Sequence, residues 1–551
     1  MDKRKTKMCL GLSAVAFISV ACTAGYIDIN RNPYGVTDDE MQRDGYAVKA
    51  ALLGIANGVI SPDVNTAQFT ECLLGGTMGG YMADGNAGWN NTISNYNPQD
   101  NWTNVFMKSS WIIPTVYANY RLLHQVTDDP VIWAVGDIIK VAAMHRVADT
   151  YGPVPYSKIG QNGEINVPYD SQMDVYRTMF AELDAAVATL MPERLNNFSP
   201  SADVIYGGIV DNWIKFANSL KLRLAMRISY ADRELSRRMA ESAVSHEVGV
   251  MISNADNALF SSWGTDGNTI NRSVEYNMVK AHEDGSSCTT QSGDSHAAAD
   301  IVCYMNGYQD PRRSAYFTRS EWPAPAETYI GLRRGIVIPS HNTIGHKYSG
   351  INIDVDDPVC WMSAAEVAFL EAEAVAVFGY DMGTDARTAY ERGISLSFEQ
   401  WGVTGAAEYI SDKVRTPGAY NDPSGANSTA APSSITIAWD DAASPEVKQE
   451  RIITQKWIAG WLLGNEAWAD WRRTGYPRLF PATDAGNKSG GQVDNVAGAR
   501  RMEYPDDENM SNTANYQAAV QMLGGDGDKM RTRLEFDCKE DNPVYTGYKG
   551  L

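Results

Sequence analysis

The sequence predicts a mainly α-helical fold of paired helices that carries long irregular loops. Three observations predict it. Apolar residues recur at helical spacing in segments that open on capping residues. The segment Ile453–Leu479 concentrates four tryptophans at that spacing. Two long stretches, Gly75–Asn101 and Ser253–Pro358, have no helical period and are rich in glycine, asparagine and aromatic residues.

At 551 residues and 44% hydrophobic, the chain can bury a large core, as one helical-repeat domain or two ordinary ones. Its formal net charge of −20 argues against nucleic acid as a partner, because phosphates demand a basic face. Residues 1–21 place Lys3, Arg4, Lys5 and Lys7 ahead of an apolar run from Met8 to Ala21, the pattern of an export signal. That run is too short to span a bilayer comfortably. Ser19-Val20-Ala21-Cys22 resembles the lipobox of bacterial lipoproteins, which makes Cys22 the expected lipid attachment point. Two acyl chains anchor a protein without any transmembrane helix. Cys288 and Cys303 flank a polar loop and either pair or sit apart as small core residues.

Taken in order, Tyr26–Gly35 reads as a polar tether, and Thr37 with Glu40 as a capping box opening a helix to about Gly58. Gly75–Asn101 follows as a loop long enough to suggest function. A helix is expected from about Trp102 to Val126, and Asp129-Pro130 starts another that runs to Thr150, with proline in the first turn. Ser171 caps a helix to Met191. Asp211–Ala231 is its partner, apolar on two sides and so expected between neighbours. After the irregular stretch, Ser363 with Glu366 reads as a capping box for a helix that stops at Gly379. Thr384–Trp401 then turns back on it, a hairpin of about tetratricopeptide size, although the repeat consensus is absent.

Ser444-Pro445 opens the tryptophan-rich helix. At about 100° per residue, Trp457, Trp461, Trp468 and Trp471 fall within roughly 80° of one another on a single helix, which predicts a packing seam. Gly464 lies in the same stripe and would admit a neighbouring helix. Arg472 and Arg473 suit the C-terminal dipole, and Gly475 and Pro477 end the helix.

The string Asn465–Pro477, NEAWADWRRTGYP, resembles the signature of the SusD/RagB family, the nutrient-binding surface lipoproteins of Bacteroidota. Tyr151–Ser157, YGPVPYS, resembles the family's turn at that point, and Asn218–Arg227, Arg501–Pro505 and Gly524–Asp528 are similar to its other motifs. The resemblance implies a tetratricopeptide-like scaffold in one domain over 37–551, following a signal at 1–21 and a lipid-anchored tether at 22–36. It further implies attachment to the outer membrane, facing outward, and capture of oligosaccharides for delivery to a SusC-like TonB-dependent transporter. Part of the family serves oligopeptide uptake, which is the first alternative.

No phosphate loop, dinucleotide fingerprint, zinc-protease helix or nucleophile elbow is present in the sequence. His341 and His346 read as loop surface. Asp294-Ser295-His296 sets triad residue types side by side, which is not triad geometry. No catalytic residue is expected, and a surface glycosidase using two carboxylates is the second alternative. No cofactor is expected either, although the acidic loops at Asp354/Asp356/Asp357 and Asp526/Asp528 could take a structural calcium ion. The ligand site is expected where Gly75–Trp102 meets Ser253–Pro358, with Trp89, Trp102, Trp263, Tyr316 and Trp322 as candidates. Exposed aromatic rings offer a flat apolar face beside hydrogen-bonding groups, as a pyranose requires. Trp102 could instead start a helix and face the core.

Overall fold

The computed structural model describes residues 45–546 except 86, 88, 89, 98–111, 162–165, 262–294, 324–328, 340–343 and 355. The signal, the tether, Cys22, the Thr37–Glu40 box, Trp89, Trp102, Trp263, Cys288, Asp294 and His341 lie outside the described residues. The chain divides into two compact units, Met1–Ala47 and Val48–Leu551, and the description below concerns the second.

Its longer helices are α1 (Tyr46–Ala56), α2 (Ile113–Val126), α3 (Pro130–Tyr151), α4 (Gln172–Leu190), α5 (Val210–Arg227), α6 (Arg233–Val244), α7 (Ala299–Gly307), α8 (Ala364–Glu373), α9 (Ala386–Gln400), α10 (Pro445–Ala459), α11 (Gly464–Thr474) and α12 (Thr513–Leu523). Consecutive helices pair, α3 with α4, α5 with α6 and α8 with α9, giving the hairpin scaffold. Two small antiparallel ribbons complete it. Strand β1 (Met82–Asp84) pairs with β3 (Ser295–Ala297), Met82 opposite Ala297, and β2 (Ala258–Phe260) pairs with β4 (Val359–Met362) across a bulge. Among the described residues no helix is long and apolar enough to cross a membrane.

Local capping sets the helix starts. Asp129 accepts from the Val131 amide at 2.9 Å, Ser171 from Asp174 at 3.2 Å and Ser444 from Val447 at 3.3 Å. Ser363 accepts from the Glu366 amide at 3.2 Å, but Glu366 does not close the box. Its carboxylate turns instead to the Arg223 guanidinium, at 2.9 and 2.7 Å, because that charge is buried and needs a partner. Helix α3 is buried throughout residues 138–151, so it runs through the core rather than along its surface.

The tryptophan-rich segment is two helices, α10 and α11, not one. Helix α10 packs on α8 and α9, while α11 packs on a π-helix, Gln68–Gly76, and on α5. The chain must bend to follow both sets of partners. It does so at Gly460–Leu463, where Leu462 adopts φ +76°, a left-handed conformation costing of order 1–3 kcal/mol in a side-chain-bearing residue. All four indoles are nevertheless buried, 3%, 4%, 0% and 1% exposed in chain order, so the packing seam is real although its single face is not. Gly464 permits the close approach expected of it: a Cβ there would lie 2.4 Å from the Gly75 carbonyl carbon. The π-helix therefore occupies the start of the stretch expected as loop, and α7 forms inside the other.

The polar residues of the NEAWADWRRTGYP string are committed to the core. Glu466 Oε1 lies 3.0 Å from His145 Nε2, and its other oxygen pairs with Arg227. Asp470 pairs with Lys456 and Arg473. Arg472 does not serve its own helix dipole in solvent. It lies over the Trp468 ring at 3.7 Å and donates at 2.6 Å to the Asp149 carbonyl, one of the last four of α3, so it caps a different helix. Burial pulls its pKa down to about 9.

Candidate functional site

The two irregular stretches do meet. The β1–β3 pairing joins them, and Asn90 Nδ2 donates at 3.2 Å to the Ile338 carbonyl. Immediately after β3, helix α7 forms one wall of an open cleft of about 610 Å³. The 418–423 segment, Trp322, Pro323 and the residues 329–331 supply the rest of its described lining. Gly307 at the end of α7 lets the walls join, since a Cβ there would lie 2.2 Å from the Thr416 carbonyl oxygen. The Gly418 amide then donates to the Cys303 carbonyl at 2.9 Å.

Within the cleft the aromatic side chains are held by their surroundings. Trp322 is half-buried, edge-on to Tyr348 at 5.6 Å with Lys347 Nζ 5.0 Å from its ring, and its indole N–H has no partner. Asn306 Nδ2 donates to the Tyr329 carbonyl at 2.9 Å and its Oδ1 accepts from Arg313 at 3.2 Å, which positions the Tyr329 segment over α7. Asp422 accepts from the amides of Ser424 and Asn427 at 3.0 and 2.9 Å. Burial opposes its ionisation, but these hydrogen bonds and those from the two side chains outweigh burial and hold its pKa below the ordinary carboxylate value. Among the described lining residues Asp422 is thus the one charged side chain, and none is basic. The arrangement offers flat rings, an unsatisfied donor and a fixed acceptor, which suits binding of a neutral polar ligand with an apolar face.

Of the expected site residues, the structure brings Trp322 into this cleft. Tyr316 it does not: the ring is fully buried, stacked on Trp461 with centroids 5.3 Å apart and planes 7° apart, and its hydroxyl donates to the Ile458 carbonyl at 2.9 Å. Tyr316 is a core residue that closes the α10–α11 bend. Tyr329, Tyr420 and Asp422 also line the cleft and are not among the residues expected from the sequence. An aromatic on a Gly/Asn/Pro-rich segment was the signal that could have found Tyr420. Of the acidic loops considered for calcium, Asp526 pairs with Arg531 at 2.7 Å, Asp528 with Arg501, and Asp357 accepts from the Asp354 amide at 2.8 Å. His145, Asp149 and Glu466 come close enough to suggest metal ligands, but both carboxylates pair with Arg227, which supplies the positive charge instead.

A sequence profile described as "SusD-like: Susd and RagB outer membrane lipoprotein" matches residues 28–537. A SusD homologue from Bacteroides uniformis is 52% identical, with a TM-score of 0.85 over 90% of this chain and 100% of that one. A chitin-binding SusD homologue from Flavobacterium johnsoniae is 36% identical, with a TM-score of 0.81 over 90% of this chain and 99% of that one. A SusD homologue from Bacteroides ovatus, also 36% identical, has a TM-score of 0.81 over 90% and 100%. No curated protein matches the chain. A profile match spanning most of the sequence, on a scaffold shared with these homologues, means that the chain belongs to the SusD/RagB family of outer membrane lipoproteins.

Proposed function

We propose that this protein is a non-catalytic, glycan-binding lipoprotein of the outer membrane that captures neutral oligosaccharides at the Trp322 cleft. It passes them to a SusC-like TonB-dependent transporter. One observation carries the reading: an open cleft with a half-buried indole, its N–H unpartnered, and no basic side chain among the described lining residues. Asp422 is the charged group that an anionic glycan would meet among the described lining residues. The chitin-binding relative supports a carbohydrate ligand, and the family supports uptake rather than hydrolysis. Anchoring through Cys22 and an outward orientation belong to the same proposal.

The test is calorimetric titration with neutral oligosaccharides, chitooligosaccharides included, against uronic-acid oligosaccharides and a peptide library. Neutral glycans should bind, and Trp322→Ala should weaken them by about 2 kcal/mol, roughly thirtyfold, without lowering the melting temperature. Binding of peptides alone would turn the assignment to oligopeptide uptake. Release of shortened products from a bound glycan would make the protein a glycosidase.

A further inference from the structure

We propose that a second cavity, at the bend between α10 and α11, is a further binding site for one neutral pyranose residue, separate from the Trp322 cleft. It encloses about 290 Å³ and shares no lining residue with the cleft. That volume is at the low end for ligand pockets and fits one sugar ring better than a chain. Trp401, which follows the last residue of α9, and Trp461, in the bend itself, form part of its wall. Leu259, Ile353 and Leu462 add apolar surface.

Three polar atoms on residues of this wall lack a hydrogen-bond partner: Gln400 Oε1, Trp401 Nε1 and Trp461 Nε1. Unpaired buried polar atoms occur elsewhere in the described chain too, but these three belong to residues that line one cavity, where an occupant could pair them. Their chemistry identifies its class. An indole N–H requires an acceptor and an amide oxygen requires a donor; a sugar hydroxyl is both. A hydrocarbon would satisfy neither. A phosphate or carboxylate would find no basic side chain among the described lining residues and would face Asp357. Trp401 is half-buried and its ring contact is edge-on to Tyr316 at 4.7 Å, which leaves a flat face for the C–H side of a pyranose. Gln400 is also half-buried, so both side chains have room to turn toward a ligand. Leu462, beside Trp461 in this wall, has a left-handed backbone, and strained conformations of that kind concentrate at functional sites. A protein with both sites would hold a long or branched glycan at two points, raising avidity without new contacts at either.

The experiment is saturation-transfer NMR on the full chain carrying Trp322→Ala, with methyl α-glucopyranoside, methyl β-galactopyranoside and N-acetylglucosamine as probes. At least one probe should receive saturation. Adding Trp401→Ala should weaken that binding about tenfold, as expected for losing one ring contact. Gln400→Leu should weaken it as well. If Trp401→Ala lowers the melting temperature, Gln400→Leu decides. Absence of transfer to every probe overturns the proposal, and so does transfer that neither substitution reduces. Normal glycan binding in the Trp322→Ala protein would instead count against the cleft, leaving this site to be judged by Trp401 and Gln400.

Discussion

Arg473 grips Glu373 with two parallel hydrogen bonds, Nη1 to Oε1 at 2.8 Å and Nη2 to Oε2 at 2.7 Å, and neither side chain exposes any surface. The pair ties α11 to the end of α8. Removing the Glu373 charge leaves the buried Arg473 without its bidentate partner, holding only the 3.2 Å contact to Asp470 among carboxylates, so Glu373→Gln should cost about 3 kcal/mol. Arg473→Met with Glu373→Leu should recover part of that loss. Denaturant unfolding of both singles and the double checks this, and strictly additive costs would deny the coupling.

Trp468 is fully buried and donates its indole N–H to the Ala499 carbonyl at 3.0 Å. Trp468→Ala should cost about 3–5 kcal/mol, as deletion of a large core aromatic does. Glycan preference should be unchanged. Thermal melting paired with titration would show an error in the assignment if binding were lost while melting stayed at the wild-type value.

Glu371 gives a pH signature. Burial pushes its carboxyl up to about 6 from 4.5, against the opposing pull of Arg392. The folded value is the higher one, so between about 4.5 and 6 the native state holds more protons than the unfolded chain. This group's contribution is therefore most favourable at low pH and declines as pH rises through that window, by about 2 kcal/mol. Glu371→Gln should remove that decline, and melting curves of both proteins from pH 4 to 7 would reveal it as a difference in slope.

The anchor is tested by Cys22→Ala. The substitution should move the protein from the membrane fraction to the soluble fraction with its melting temperature intact. Retention in the detergent phase would place the attachment elsewhere.

How far the site could be read ahead of the structure depends on how local its signals are. Trp322 was legible as an aromatic on an irregular segment, and the same signal wrongly selected Tyr316. Whether such a ring faces solvent depends on what packs over it, and Trp461, which covers Tyr316, lies far along the chain. Helix α7, which builds a wall of the cleft, escaped notice because its nine residues sit inside a stretch dominated by loop composition.

By itself, the sequence determined the helix starts at Asp129, Ser171 and Ser444, the helix hairpins and the family, because a cap reaches only two or three residues and a motif is read without its partners. The tertiary structure decided what the charged residues of that motif do, since Arg473 finds Glu373 at 100 residues' distance and Arg472 finds the Asp149 carbonyl at 323. It also decided the bend at Leu462. Periodicity shows that a face must be buried but not against what, and α10 and α11 bury theirs against different neighbours. That divergence breaks the helix and opens the cavity beside Trp401, because a residue's type states which bonds it needs while only the fold supplies the partner.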